Sequence, residues 1–169
     1  GYVDDNPYEK FPSNTKPTID YYTDSEVNEI LDNLGSKKVD DIIRFAFQTG
    51  ARRGELVNLD PEDINQHNIV LEGKSGHRPF PITEKIRELL DRGKVFGYNT
   101  PSGLSTALKK KNVSATKIRH TFATRLVKNG MNLYRVSKLL GHKSVKTTEK
   151  YYAHLKPTDI EDFHDYLDY

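Results

Sequence analysis

Arg52 in "TGARRGEL", Lys74 in "LEGKSGHRPFPI", Arg119 in "KIRHTFAT", His142 in "LLGH" and the adjacent Tyr151 and Tyr152 are the residues of this 169-residue chain whose types suit one reaction together. Guanidiniums are permanently charged and bind anionic oxygens two at a time. A phenol, with a solution pKa of about 10, is a weak nucleophile until its proton leaves, and positive neighbours lower that cost. An ammonium or an imidazole can move protons. The set suits a phosphodiester, whose equatorial oxygens gain charge as a fifth ligand approaches and so call for fixed cations. Taken singly, each residue has a plainer reading: Arg52 pairing with Glu55 three residues on, Lys74 decorating a turn, His142 following a glycine helix stop.

Charge along the chain sharpens the first reading. The formal net charge is only +2, but no acidic residue lies between Asp91 and Glu149, a stretch holding Lys109, Lys110, Lys111, Lys117, Arg119, Arg125, Lys128 and other basic residues. Such segregation builds a positive face for a polyanion, or else a lysine-rich solvated surface offset by acidic ends.

Local signals say which elements must position these side chains. "YTDSEVNEILDNL" offers Thr23 as an N-cap with Glu26 three residues later, followed by Val27, Ile30, Leu31 and Leu34 at helical spacing. A second helix through "VDDIIRFAFQTG" stops at Gly50. "NIVLEGKSGHRPFPI" reads as a β-hairpin with Lys74 at its tip, in which Pro79 and Pro81 must face away from the partner strand. "TEKIRELL", capped by Thr83, and "SGLSTALKKK" read as short helices. "ATKIRHTFATRLVKNG" places Ile118, Phe122, Leu126 and Val127 on one face and ends at Gly130. "NLYRVSKLLG" ends at Gly141, and "TTEKYYAHL" forms a helix in which Tyr152 and Leu155 share a face.

The length fits one domain. Residues 1–20 are polar and proline-bearing and are expected to form a leader arm, with residues 21–169 the folded unit. In that unit "IEDFHDYLDY" is amphipathic as a helix and is expected to dock on its own chain or on a neighbour. The chain starts at Gly1 rather than Met, so a fragment of a longer protein is expected. The absence of cysteine excludes disulfides and thiolate metal sites and fits an intracellular setting. No signal peptide or bilayer-length apolar run is present. The expected class is α+β, mainly helical, with one small antiparallel sheet.

At these motifs the chain resembles the catalytic domain of the tyrosine recombinases, the family of phage and mobile-element integrases and chromosome-dimer resolvases. "TGARRGEL" resembles the family's Thr-Gly-x-Arg-x-x-Glu-Leu box, which makes Arg52, rather than Arg53, the first catalytic arginine. "LEGKSGHRPFPI" resembles the hairpin that carries the family lysine, here Lys74. "IRHTFATRLVKNG" resembles the second arginine box, giving Arg119, and "LLGHKSVKTTEKYYAHL" the terminal box, giving His142 and the nucleophile. The boxes fall in order across residues 22–156, a specific signal where any one alone would be weak.

The resemblance places the nucleophilic tyrosine nine or ten residues after the histidine, which leaves Tyr151 and Tyr152 in play. The frame Tyr152-Ala153-His154-Leu155 matches the family's ending and favours Tyr152. One departure stands out: the family has a histidine three residues before the second arginine, and here that position is Thr116. A hydroxyl can donate to a phosphate oxygen but cannot act as an acid or base near neutral pH.

Through the resemblance, the implied activity is site-specific cleavage and rejoining of double-stranded DNA through a 3′-phosphotyrosine link, without metal, cofactor or ATP. It would be the work of an integrase or recombinase of a mobile element or virus. Arg52 and Arg119 would stabilise the phosphate, Lys74 would protonate the departing 5′ oxygen, His142 would assist, and Tyr152 would attack. Lys109, Lys110, Lys111, Lys117, Thr116 and Arg78 are the expected DNA contacts. A tetramer on DNA, a monomer or weak oligomer off it, and a cytoplasmic location on DNA are implied. The rivals are a recombinase-fold DNA-binding protein that no longer cuts, a type IB topoisomerase-like enzyme, and an interaction module whose basic face binds acidic protein.

Overall fold

The structure is a computed structural model that describes residues 18–98 and 100–156. The expected leader up to residue 17 and the tail from residue 157 lie outside the described residues. Eight α-helices and one two-stranded sheet are found among them.

Helix α1 (Asp24–Asp32) starts where the sequence says it should: the Thr23 hydroxyl accepts from Glu26 N–H, and the Glu26 carboxylate accepts from Thr23 N–H at 2.7 Å. Helix α2 (Lys38–Thr49) ends on Gly50 in the left-handed conformation, φ 61°. It runs through the main core, burying Ile42, Ile43, Phe45 and Ala46; each fully buried large side chain of this kind contributes roughly 1.5–3 kcal/mol. Its first turn also buries Asp40 and Asp41. These acids are matched, Asp40 by Lys111 at 2.6 Å and Asp41 by Arg44 at 2.9 Å and Arg92 at 3.2 Å.

A six-residue helix, α3 (Arg53–Asn58), follows at once and was not foreseen in the sequence. It begins on Arg52, whose N–H donates to the Glu55 carboxylate at 2.8 Å, and it carries Glu55 inward. Strands β1 (Asn68–Gly73) and β2 (Gly76–Pro81) pair antiparallel around a Lys74-Ser75 turn, with Ile69 opposite Phe80 and Leu71 opposite Arg78. Val70 lies opposite Pro79 and Asn68 opposite Pro81, so the prolines alternate with the inward-facing Arg78 and Phe80.

Helices α4 (Glu84–Asp91), capped by Thr83, and α5 (Pro101–Lys110), capped by Thr100, complete the wall around the main core. Helix α6 (Ala115–Lys128) links it to a second cluster formed with α7 (Leu133–Leu140) and α8 (Val145–Tyr152). That cluster contains Ala123, Val127, Val136, Leu140 and Tyr152, and Phe122 packs against both cores. Leu155, in the short 3-10 turn after α8, leans on the same cluster, as its shared face with Tyr152 requires.

The buried face of α6 differs from the apolar stripe expected. Ile118 and Val127 are buried, but so are Arg119, Thr121 and Thr124. Arg119 is seated on the ends of α2 and α7, and the chain leading into α1 straps across α6: Tyr22 N–H donates to the Thr121 hydroxyl at 2.8 Å, Lys117 pairs with Asp20 at 3.3 Å, and Arg125 reaches Asp24, the first residue of α1, at 2.7 Å. A helix covered on two sides buries polar positions that a one-sided stripe would leave wet.

Candidate active site

The left-handed glycines build the site first. Gly50 ends α2 two residues before Arg52, and a Cβ there would sit 2.5 Å from the Phe122 ring, so α2 and α6 approach in a way only glycine permits. Gly141, φ 69°, ends α7 just before His142, and a Cβ on it would meet Arg78 Cδ at 2.5 Å.

Arg119, projecting from α6, joins these two helix ends. Its guanidinium donates to the Gly50 carbonyl at 2.9 Å and to the Leu140 carbonyl at 2.6 Å. Those are carbonyls left over at the C-termini of α2 and α7, where a cation is favoured by the helix dipole. Arg52 and Arg119 line one cleft of about 720 Å³ together with Lys74, Lys109, Thr116 and His120. The two guanidiniums, from boxes far apart in sequence, thus face the same space.

Glu55 organises the floor. Its carboxylate accepts from Arg78 Nε and a terminal nitrogen at 2.9 Å each, caps α3, and lies 3.8 Å from Arg52. Both early readings of Arg52, partner of Glu55 and occupant of a cationic cleft, therefore describe the same side chain. Burial works to raise the Glu55 carboxyl, but the hydrogen bonds and charge of Arg78, with the Arg52 N–H and the Arg119 charge, outweigh it and hold the group below the usual carboxylate range.

Arg78 corrects an expectation. It was expected among the DNA contacts, yet it is buried: the two-residue period of β2 puts it on the inner face with Phe80, where Glu55 grips it and it donates to the Leu139 carbonyl. The signal was in the sequence, since alternation from Phe80 points position 78 toward the core. Two of the expected lysine contacts are also engaged within the protein. Lys111 is paired with buried Asp40, and Lys117 with Asp20, its ammonium 4.4 Å from the Tyr22 ring centre. Lys109 lines the cleft, Lys110 is exposed, and Thr116 lines the cleft with an exposed side chain. Arg53 turns aside to donate to the Ser105 hydroxyl at 2.8 Å.

His142 hydrogen-bonds through Nδ1 to the buried Thr148 hydroxyl at 2.8 Å. Burial, then the charges of Arg119, Arg52 and Arg78, pull it down to about 4, so the imidazole is neutral around pH 7. Burial pushes the Tyr152 phenol up to about 12, with the Arg119 charge acting in the opposite direction. Burial pulls Arg119 itself down to about 9, followed by the like charges of Arg52 and Arg78. Arg119 therefore stays protonated at neutral pH. Tyr151 is half-buried beside Tyr152, with ring centres 6.4 Å apart, and packs under Lys150. Among the described residues no group of three or more His, Asp or Glu is placed to hold a metal ion, and no helix is long and apolar enough to cross a membrane.

The family model described as the phage integrase family matches residues 96–158, which hold Arg119, His142 and Tyr152. An integrase of Escherichia phage 186 is 28% identical over 132 residues, covering 72% of this chain and 39% of that protein. In sequence the chain is similar to the phage integrase family. Its fold matches the catalytic domain of bacteriophage HP1 integrase with a TM-score of 0.70 at 23% identity, over 89% of this chain and 96% of that one. The Tn1549 transposon integrase, solved in complex with a circular intermediate DNA, matches with a TM-score of 0.69 at 21% identity, over 90% of this chain and 66% of the other. The chain spans less than two thirds of the length of the curated relatives it matches first.

Proposed function

We propose that this chain cuts and rejoins double-stranded DNA at specific sites, with Tyr152 as the nucleophile and a 3′-phosphotyrosine link as the intermediate. The observation that carries the reading is the meeting of Arg52, Lys74 and Arg119 in one cleft, with the Tyr152 ring 6.5 Å from that of His120, which lines the same cleft. The Tn1549 complex, a family fold holding DNA, supports the choice of polyanion.

Each residue has a role that its chemistry permits. Arg52 and Arg119 bind the non-bridging oxygens and stabilise the charge that develops on them. Arg119, already held on two carbonyls, meets the phosphate without reorganising, which is where fixed donors gain over water. Tyr152 attacks phosphorus, the bond to the 5′ oxygen breaks, and Lys74 at the exposed hairpin tip supplies that oxygen's proton. His142 holds a phosphate oxygen, Thr116 donates a hydroxyl hydrogen bond, and Lys109 and Lys110 steer the DNA backbone. The ester conserves the broken bond, so a 5′ hydroxyl of another strand can reverse the step without ATP. In this reading the chain works as a tetramer on DNA.

The test is covalent capture. A pool of nicked duplexes, randomised around the nick, is incubated with the chain and denatured. A protein–DNA adduct mapping to the peptide of Tyr152, lost in Tyr152→Phe and retained in Tyr151→Phe, is the expected result. Loss with Tyr151→Phe alone would move the nucleophile by one residue, and no adduct with the native chain would overturn the reading.

A further inference from the structure

We propose that His120 takes the phenolic proton from Tyr152 during cleavage and returns it during rejoining, a role that rests on the cut-and-rejoin reading above. The group that accepts this proton is the part of the reaction that the assignments so far leave open. Lys74 serves the opposite side of the phosphate, and the hydroxyl of Thr116 has no useful basicity at neutral pH. His120 lies four residues after Thr116, one turn further along α6, and both line the cleft with Arg119.

Three observations single out this imidazole. Its ring stands edge-on to the Tyr152 ring, with centres 6.5 Å apart and planes at 69°. Its Nδ1–H donates to the backbone carbonyl of Asp20 at 3.2 Å. A carbonyl only accepts, so this bond fixes the neutral ring's proton on Nδ1 and leaves Nε2 with a free lone pair, the form a base needs. Finally, the Asp20 carbonyl is itself held: the Asp20 side chain pairs with Lys117, and two residues on Tyr22 N–H is tied to Thr121 of the same helix. The strap thus works on His120 as a fixed acceptor works on a metal-bound imidazole, setting tautomer and ring plane together. His142, the other imidazole near the arginines, already has its Nδ1 on Thr148, and burial makes it a weak base.

The step balances. As Tyr152 Oη bonds to phosphorus, its proton passes to His120 Nε2, the bond from phosphorus to the 5′ oxygen breaks, and that oxygen takes a proton from Lys74. In rejoining, the 5′ hydroxyl attacks, its proton returns to Lys74, and the departing phenolate recovers its own from the imidazolium. No outside donor or acceptor is required.

The experiment uses a nicked duplex selected by the native chain's own adduct formation from the randomised pool. His120→Asn keeps an N–H that can reach the Asp20 carbonyl but lacks Nε2. Adduct formation is expected to slow at least about 100-fold, the low end for losing a general base, with DNA retention and melting temperature close to native. A 5′-bridging phosphorothiolate, whose sulfur leaves without a proton, should rescue Lys74→Ala and leave His120→Asn slow. His120→Ala, in which added imidazole restores the rate, provides the same test should asparagine disturb the strap. Native rates in His120→Asn, rescue of that variant by the bridging sulfur, or no response of His120→Ala to imidazole would each overturn the assignment while native adduct formation stands. No adduct from the native chain at all would remove the cut-and-rejoin reading and this role with it.

Discussion

Glu55 accepts two nitrogens of Arg78 at 2.9 Å each, and through this one pair helix α3, strand β2 and the end of α7 are fixed on each other. Both partners are almost fully buried, so neither charge has water to fall back on. Glu55→Gln keeps the shape and removes the charge that matches Arg78. Breaking a buried pair in this way costs about 3–5 kcal/mol, which denaturant unfolding would register as a lower midpoint. A loss below about 1 kcal/mol would mean that the pair does not hold the fold.

Gly141→Ala should act on the same junction from the other side. The left-handed backbone alone costs about 1–2 kcal/mol for a residue with a Cβ, and that Cβ would press on Arg78. At about 2–4 °C per kcal/mol for a chain of this size, calorimetry should show a clear fall in Tm. An unchanged Tm would place Arg78 elsewhere.

His142 gives stability a pH dependence whose sign can be worked out. Its folded value is about 4, while an unfolded histidine titrates near about 6.5. Between those values the unfolded chain binds a proton that the folded chain does not, so stability falls as pH drops from about 6.5 toward 4. Denaturant midpoints measured from pH 7 to 5 should decline less steeply in His142→Gln than in the native chain; equal slopes would refute the assignment.

Salt dependence locates the DNA. Each phosphate neutralised contributes about −0.9 to the slope of log affinity against log salt. Replacing Lys109 and Lys110 by alanine should therefore flatten the slope by up to about 2 if both touch the backbone. Replacing Arg78, buried in the protein, should weaken folding and leave the slope of the folded fraction unchanged.

Much of this fold could be read locally, and the limits are physical. Thr23 with Glu26, Thr83, Gly50 and Gly141 all marked helix ends correctly, because a cap is decided by one or two adjacent residues. Helix α3 escaped because six residues are too few for an apolar period and Arg52 is an unusual residue to precede a helix. The second core was visible only in part: Val127 and Tyr152 had helical spacing, while the burial of Thr121 and Thr124 depends on a strap about 100 positions away in the chain. Arg78 was misread for a similar reason, since an arginine beside a glycine-rich turn suggests a ligand until its partner, Glu55, is found across the fold. The meeting of Arg52 and Arg119 followed from motif order rather than from any local pattern.

Arg119 fastens the ends of two helices as well as facing the cleft. The site therefore has no existence apart from the finished fold: until α2, α6 and α7 have closed on one another, the guanidinium has no seat and the phenol no cationic neighbour. Under the proposed reading, a chain caught part-way through folding carries no half-assembled cutter, so the hazard of a stray nick is confined to molecules that are whole.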